Sequence, residues 1–148
     1  MLFRSGPGRV WLRPRFSSLT PPGGPLRQIL VGHTGSVEAV AFLPDGSRAL
    51  SGSSDNTLRL WDLASGETLR TLEGHTSGVS AVAVLGDGSR ALSGSSDNTL
   101  RLWDLASGEC LAEYYADAKI DCLAFARDDL VVAGSADGRL HILEIREP

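Results

Sequence analysis

Histidine, serine and aspartate recur at one spacing in two places along this 148-residue chain. The two sets are His33, Ser51 and Asp55, and His75, Ser93 and Asp97. These residue types carry hydrolytic chemistry when the serine is hydrogen-bonded to the histidine and the histidine to the carboxylate. A catalytic triad is needed only once, whereas these residues recur together with a tryptophan, Trp61 or Trp103. Because a buried indole N–H needs an acceptor, the recurrence favours a structural role over a catalytic one.

The recurrence belongs to a longer internal repeat. The stretch SRALSGSSDNTLRLWDLASGE runs from Ser47 to Glu67 and again, unchanged, from Ser89 to Glu109. Self-similarity at a period of roughly 20–50 residues indicates units that bury their apolar faces against one another. Two full copies cover residues 32–73 and 74–115, and a shorter, diverged copy covers residues 116–148.

Each full copy contains four short strand-like runs separated by turn signals. In the first copy they are VEAVAFL, RALSGS, TLRLWDL and ETLRTL, here termed strands a to d. The turns between them are Asp45-Gly46, Asp55-Asn56 and Ser65-Gly66. Four strands per repeat without a helical period predict an all-β fold made of β-propeller blades. Apolar residues of strands a and c, among them Val37, Val40 and Phe42, should form the core between blades.

The number of predicted strands leaves the propeller incomplete. Residues 26–31 (LRQILV) match strand d without strands a to c of their own, and the third copy stops after its strand c. The segment 26–148 thus supplies about three four-stranded blades, whereas propellers need roughly four to eight. We therefore expect an incomplete ring with exposed strand edges, which invite pairing with another chain. Self-association through the terminal strands, or a longer chain, would complete it.

The first 25 residues differ in composition from the rest. They carry five of the seven prolines, and residues 1–31 hold five arginines and no acidic residue. A segment without periodic apolar residues cannot recover its ordering entropy. We interpret residues 1–25 as a disordered linker or tail. A transit peptide is the alternative, and the prolines argue against the amphipathic helix that it would form.

Charge and cysteine content restrict the partners. Residues 32–148 hold nine basic and eighteen acidic residues, which disfavours nucleic acid as a partner. No apolar run approaches the roughly 20 residues that cross a bilayer, so we expect no membrane partner. Cys110 and Cys122 are the only cysteines, and neither has a second cysteine or a histidine at metal-ligand spacing. We expect no metal, no cofactor and a reducing, cytoplasmic location.

Two recurring dipeptides and the turn aspartate resemble the WD40 family of β-propellers. Gly-His pairs stand at residues 32–33 and 74–75, and Trp-Asp pairs at residues 61–62 and 103–104. Such near-identical repeats are similar to bacterial arrays that often follow a signalling NTPase or kinase domain. The resemblance implies a buried hydrogen-bonded chain in each full blade. Its members would be His33, Ser51, Asp55 and Trp61 in the first blade, and His75, Ser93, Asp97 and Trp103 in the second.

The third copy has lost most of that set. Asp117 stands at the histidine position, Ala133 at the serine position and Leu143 at the tryptophan position, and only Asp137 remains. An aspartate buried without partners would be costly, so we expect Asp137 to cap its turn through backbone N–H groups. Blade three should be the least stable. We expect its non-repeated His141 to face solvent.

The resemblance implies a function in protein binding. Propellers of this family usually bind peptides or proteins on the face where the d–a and b–c loops meet. By motif position that face comprises Ser36, Glu38, Ser54, Gly78, Ser80, Ser96, Lys119, Asp121 and Ala136. These residues are small, polar and slightly acidic, without the Trp, Tyr and Arg side chains that anchor most interfaces. We expect a noncatalytic interaction scaffold; a sensor array of a signalling protein and a propeller enzyme are the alternatives.

Overall fold

The computed structural model describes residues 28–148 as an all-β structure. Eleven strands run through this part of the chain, and it contains no helix. The strands are β1 (Val37–Phe42), β2 (Arg48–Ser53), β3 (Leu58–Asp62), β4 (Thr68–Leu72), β5 (Val79–Val84), β6 (Arg90–Ser95), β7 (Thr99–Asp104), β8 (Cys110–Tyr115), β9 (Ile120–Arg127), β10 (Leu130–Ser135) and β11 (Leu140–Glu144). The predicted fold class is confirmed.

The strands form three antiparallel sheets in sequence order. The first blade contains β1 to β4, the second contains β5 to β8, and the third contains only β9 to β11. Each strand pairs with the next along the chain within its sheet, so every blade is a meander. The three sheets stay separate and do not close into a ring within residues 28–148.

Left-handed residues make the tight turns. Gly46 has a φ of 69°, and its N–H donates to the Leu43 carbonyl oxygen at 3.0 Å, which closes the a–b hairpin of the first blade. Asn56 and Asn98 have φ angles of 75° and 70° in the b–c turns. Asparagine is one of the few side chains that tolerates this conformation. The b–c turns therefore depend on asparagine where glycine would otherwise be required.

Apolar side chains between neighbouring blades make the core. Leu58 and Val79 are fully buried in one cluster between the first and second blades. Leu100 and Ile120 share a second cluster between the second and third blades. Glycine in strand b lets the blades approach, since a methyl group on Gly52 would lie 2.5 Å from Val79 Cγ1. Burying one such side chain contributes about 1.5–3 kcal/mol.

No described sheet packs against the outermost faces of the first and third blades. Val37, Val40 and Phe42 of β1 are 53%, 69% and 71% exposed. Leu140 and Ile142 of β11 are 74% and 68% exposed. The expectation that these β1 residues form interblade core is wrong for the single chain. Their counterparts in β5 pack on the first blade, whereas no described blade precedes β1.

The strand predicted over residues 26–31 is not found in the described residues. The structure describes residues 28–31 of it, and these form no strand. The reason is topological, because a strand d pairs with strand c of its own blade, and no described strand c precedes this segment. The linker or tail predicted for residues 1–25 lies outside the described residues.

The third blade should be the least protected against hydrogen exchange. Among the described residues its sheet has three strands instead of four, and Ala133 and Leu143 stand where the full blades have the buried serine and tryptophan. Local opening therefore costs less free energy there than in the second blade. Native-state exchange should show faster exchange in β10 than in the equivalent central strand β6. Equal protection of these two strands would contradict the prediction.

Candidate functional site

A chain of side-chain hydrogen bonds crosses the first blade. Trp61 Nε1–H donates to Ser51 Oγ at 2.8 Å, and Ser51 Oγ lies 2.7 Å from His33 Nε2. His33 Nδ1 lies 2.8 Å from Asp55 Oδ2. Because the indole can only donate and the carboxylate can only accept, the serine hydroxyl donates to Nε2 and Nδ1–H donates to Asp55. In this arrangement His33 donates from Nδ1 and accepts at Nε2.

The second blade repeats this geometry. Trp103 Nε1–H donates to Ser93 Oγ at 2.8 Å, Ser93 Oγ lies 2.7 Å from His75 Nε2, and His75 Nδ1 lies 2.8 Å from Asp97 Oδ2. The side chains of His75 and Asp97 are 0% and 6% exposed. The structure thus brings the four residues together in each full blade.

The order of these bonds is that of a Ser–His–Asp triad, but access to the serine is missing. Ser51 is 5% exposed and Ser93 is fully buried. Each hydroxyl oxygen also accepts the indole N–H, which keeps it turned into the blade. A nucleophile must reach a substrate carbonyl, and these hydroxyls cannot. The arrangement stabilises the blade by giving each buried donor an acceptor.

A threonine completes each chain and was missed in the sequence. Thr57 Oγ1 donates to Asp55 Oδ1 at 2.6 Å, and Thr99 Oγ1 donates to Asp97 Oδ1 at the same distance. The backbone N–H of Thr34 reaches Asp55 Oδ2 at 3.0 Å. The available signal was a threonine two residues after the aspartate in both copies. Because it lies inside an identical stretch, repetition alone did not distinguish it from its neighbours.

Burial and hydrogen bonding act in opposite directions on the aspartate pKa. Burial raises the pKa of Asp97, but hydrogen bonds from Thr99, His75 and the Thr76 N–H outweigh it and lower the pKa from 3.8 to about 2. The same balance holds the pKa of Asp55 well below its usual range. Burial lowers the pKa of His75 below 6.5, although Asp97 acts to raise it. The carboxylate therefore stays ionised and His75 neutral, as the chain of bonds requires.

The third blade builds a different polar chain. Tyr114 Oη lies 3.1 Å from His141 Nδ1, and His141 Nε2 lies 3.0 Å from Ser135 Oγ, which also donates to Asp137. The Arg139 N–H contacts Asp137 Oδ1 at 3.3 Å, so a backbone N–H does reach this aspartate. His141 is half-buried and edge-on to Tyr114, so the expectation that it faces solvent is wrong. Because Tyr114 lies on β8, this chain links the second blade to the third.

The predicted binding residues lie in three equivalent groups, one per blade, here termed the loop face. In each group a b–c loop N–H donates to a d–a loop carbonyl oxygen at 2.9 Å. These bonds are Ser54 to Ser36, Ser96 to Gly78 and Ala136 to Lys119. One backbone hydrogen bond thus joins the two loops in every blade. The exposed members are Ser36, Glu38, Ser54, Ser96, Lys119, Asp121 and Ala136.

Two predicted members of the loop face serve the contact between blades. Gly78 is half-buried, and a methyl group added to it would lie 3.3 Å from Ser54 Cα of the first blade. Ser80 is also half-buried, and its hydroxyl donates to the Ile120 carbonyl oxygen of the third blade. Ser80 therefore bonds the second blade to the third, and Gly78 allows the first and second blades to approach closely.

The non-repeated polar residues of the third blade do not gather into one site. Lys119 pairs with Asp121 at 3.7 Å, and Asp117 pairs separately with Arg139 at 3.3 Å. Within residues 28–148, no three His, Cys, Asp or Glu side chains are grouped as metal ligands. No helix in that range is long and apolar enough to span a membrane.

The meander sheets and their buried His–Ser–Asp–Trp chains define a propeller-type repeat protein. The sequence matches the WD40 family, described as "WD domain, G-beta repeat", at residues 24–62, 66–104 and 108–143. These three matches cover more than half of the chain, and the protein belongs to this family. The second match spans β4 to β7, so the sequence repeat is offset by one strand from the sheet.

Curated relatives match one repeat-length segment. The chain is 53% identical over 47 residues to "Small ribosomal subunit protein RACK1z" of Arabidopsis thaliana, covering 32% of this chain and 14% of that protein. It is 56% identical over 39 residues to "Vegetative incompatibility protein HET-E-1" of Podospora anserina, covering 26% of this chain and 3% of that protein. In both cases the chain spans a small part of the relative's length.

Solved propellers share the fold over most of this chain. The "Structure of U3-55K" superposes with a TM-score of 0.76 at 25% identity, covering 80% of this chain and 38% of that chain. The "Crystal structure of RRP9 WD40 repeats" matches with the same values. The chain therefore corresponds to well under two thirds of either structure.

Replacing Ser93 by alanine should destabilise the protein strongly. The Ser93→Ala variant leaves the Trp103 N–H without its acceptor and His75 Nε2 without its donor, both in buried surroundings. Each unsatisfied group costs about 1–3 kcal/mol. Urea unfolding should show this loss, whereas Ser96→Ala on the exposed loop should change the free energy of unfolding by less than about 0.5 kcal/mol. Similar values for both variants would refute the structural role.

Stability should fall in two steps as the pH is lowered. The pKa of His75 is below 6.5 in the folded state, so its contribution is complete above pH 6.5 and declines below it. The pKa of Asp97 is about 2 in the folded state against 3.8, so its contribution is complete above pH 3.8 and is lost toward pH 2. Thermal melts from pH 8 to pH 3 should show both declines. A constant melting temperature between pH 7 and pH 5 would contradict the first.

Proposed function

We propose that the chain is a noncatalytic protein-interaction scaffold that binds a protein or peptide on its loop face. The proposal rests on the backbone hydrogen bond that joins the d–a and b–c loops at 2.9 Å in all three blades. A loop pair fixed in this way loses little conformational freedom on binding, which favours affinity. The WD40 family membership supports the same function.

The exposed chemistry of the loop face favours a polar ligand. Glu38 and Asp121 are exposed carboxylates, and Lys119 is the single amine among the predicted face residues. Lys119 lies 3.7 Å from Asp121, so the amine is partly neutralised within the face. A peptide carrying lysine or arginine would complement the remaining acidic charge. The same charge disfavours the phosphate groups of nucleic acids and anionic membranes.

The assembled state is part of the proposal. The ring is completed by self-association or by further blades of a longer chain, such as a bacterial sensor array behind a signalling NTPase or kinase domain. A cytoplasmic location is supported by Cys110 and Cys122, which are free thiols and form no disulfide in the structure. The loop face would serve in either setting. No geometry in residues 28–148 favours the alternative of a propeller enzyme.

Selection from a random peptide library on the immobilised 148-residue chain tests the loop face. We expect enrichment of peptides containing lysine or arginine. A Glu38→Arg, Asp121→Arg double variant should bind an enriched peptide at least ~10-fold more weakly through charge repulsion. The control Glu67→Arg, Glu109→Arg makes the same charge change at exposed positions of the c–d loops. Equal losses in both variants, or no enrichment, would contradict the proposal.

A further inference from the structure

The joints between blades follow one rule. The strand-b glycine of one blade faces the first β-branched residue of strand a in the next, so Gly52 meets Val79 and Gly94 meets Ile120. Beside that glycine, the first leucine of strand c is buried. Leu58 is 0% exposed at the first joint, and its counterpart at the second is 2% exposed.

The outermost faces carry the residues of the two sides of such a joint, and no described blade packs against either face. On the third blade, Gly134 faces no other blade, since a methyl group added there meets only Cys122 Sγ of its own sheet within 4 Å. Leu140 pairs with Gly134 across the ladder, as Leu58 does with Gly52, yet it is 74% exposed. On the first blade, Val37 occupies the position of Val79 and is 53% exposed.

A second pair of positions matches in the same way. At the joint between the second and third blades, Phe125 of β9 packs on the cluster that contains Leu102 of β7. Their counterparts are Phe42 on β1, which is 71% exposed, and Ile142 on β11, which is 68% exposed. Both contact types of an internal joint are thus present on opposite faces of the same chain.

The free edge of β11 supplies a third element. In the full blades strand c pairs with a strand d, and Leu58 pairs with Leu72. β11 has no such partner within the described residues, and a groove of about 550 Å³ lies beside it, lined by Leu111, Leu143 and Ile145 among others. Residues 26–31 match strand d in sequence, with Leu30 at the position of Leu72.

We propose that the occupant of these faces is a second copy of this chain, joined head to tail. Val37 and Phe42 of one copy would pack on Gly134, Leu140 and Ile142 of the other. Residues 28–31 of the first copy would pair with β11 of the other, placing Leu30 opposite Leu140. Two such joints related by a two-fold axis close a ring of six blades, within the roughly four to eight that propellers use. The inference rests on the proposed scaffold requiring a complete ring.

Light scattering coupled to size-exclusion chromatography of the 148-residue chain tests the copy number. The chain mass is 15.7 kDa, and we expect twice that value. A cooperatively melting chain that runs as a single copy would overturn the inference, because other blades would then have to cover these faces. A mass that keeps growing with concentration would also overturn it, since head-to-tail contacts that do not close make filaments.

Charged substitutions test the contact itself. Phe42→Lys and Ile142→Glu change exposed side chains, so each protomer should fold, but each variant alone should run as one chain. Mixing the two variants should restore the pair, because one joint stays apolar and the other combines opposite charges. The control Leu69→Glu changes an exposed residue of β4 outside these faces and should remain paired.

Two results of the substitutions would overturn the head-to-tail contact. One is a pair that Phe42→Lys disrupts and Ile142→Glu leaves intact, because β1 would then face β1 across a symmetric interface. The other is failure of the mixed variants to associate. Peptide binding separates this inference from the proposed function: a single copy that still binds peptide refutes only the ring, and a pair that binds none refutes only the loop-face function.

Discussion

Each blade of this protein is a single thin sheet with apolar side chains on both faces, and a sheet can bury a face only against another layer. The buried residues Leu58 and Val79 belong to different blades, and so do Leu100 and Ile120. Stability is therefore a property of the joints between blades rather than of any blade alone. The same constraint makes the outer faces of the first and third blades incomplete.

Apolar side chains join each blade to the next. Within each blade, polar side chains form hydrogen-bonded chains. In the full blades a histidine links an ionised aspartate to a serine that also accepts the tryptophan N–H. The third blade uses a tyrosine from β8, a histidine on β11, and a serine and aspartate at its b–c turn. This replacement chain crosses a joint, so part of the third blade's polar stabilisation depends on the second blade.

The sequence predicted strands and turns well because their causes are local. Asp45-Gly46 and Asp55-Asn56 are short-range signals, and both lie in turns of the structure. The predicted burial of Val37 was wrong, because burial at this position requires a neighbouring blade and the local sequence pattern does not show whether one is present. The prediction that His141 faces solvent was wrong for a related reason. Its position in the repeat, that of Arg59 and Arg101, implied an outward side chain, whereas its partner Tyr114 lies 27 residues away on another sheet.

Differences between the two full copies are informative because residues 47–67 and 89–109 are identical. Changes on the loop face fall in the d–a loop and at the start of strand a, where Ser36 and Glu38 of the first copy become Gly78 and Ser80. Others fall in strand d, where Leu72 becomes Tyr114, the partner of His141. The strand-d change gives the second blade a polar contact with the diverged third blade. Glu38 is exposed, so the two full blades differ in charge at this position of the proposed loop face.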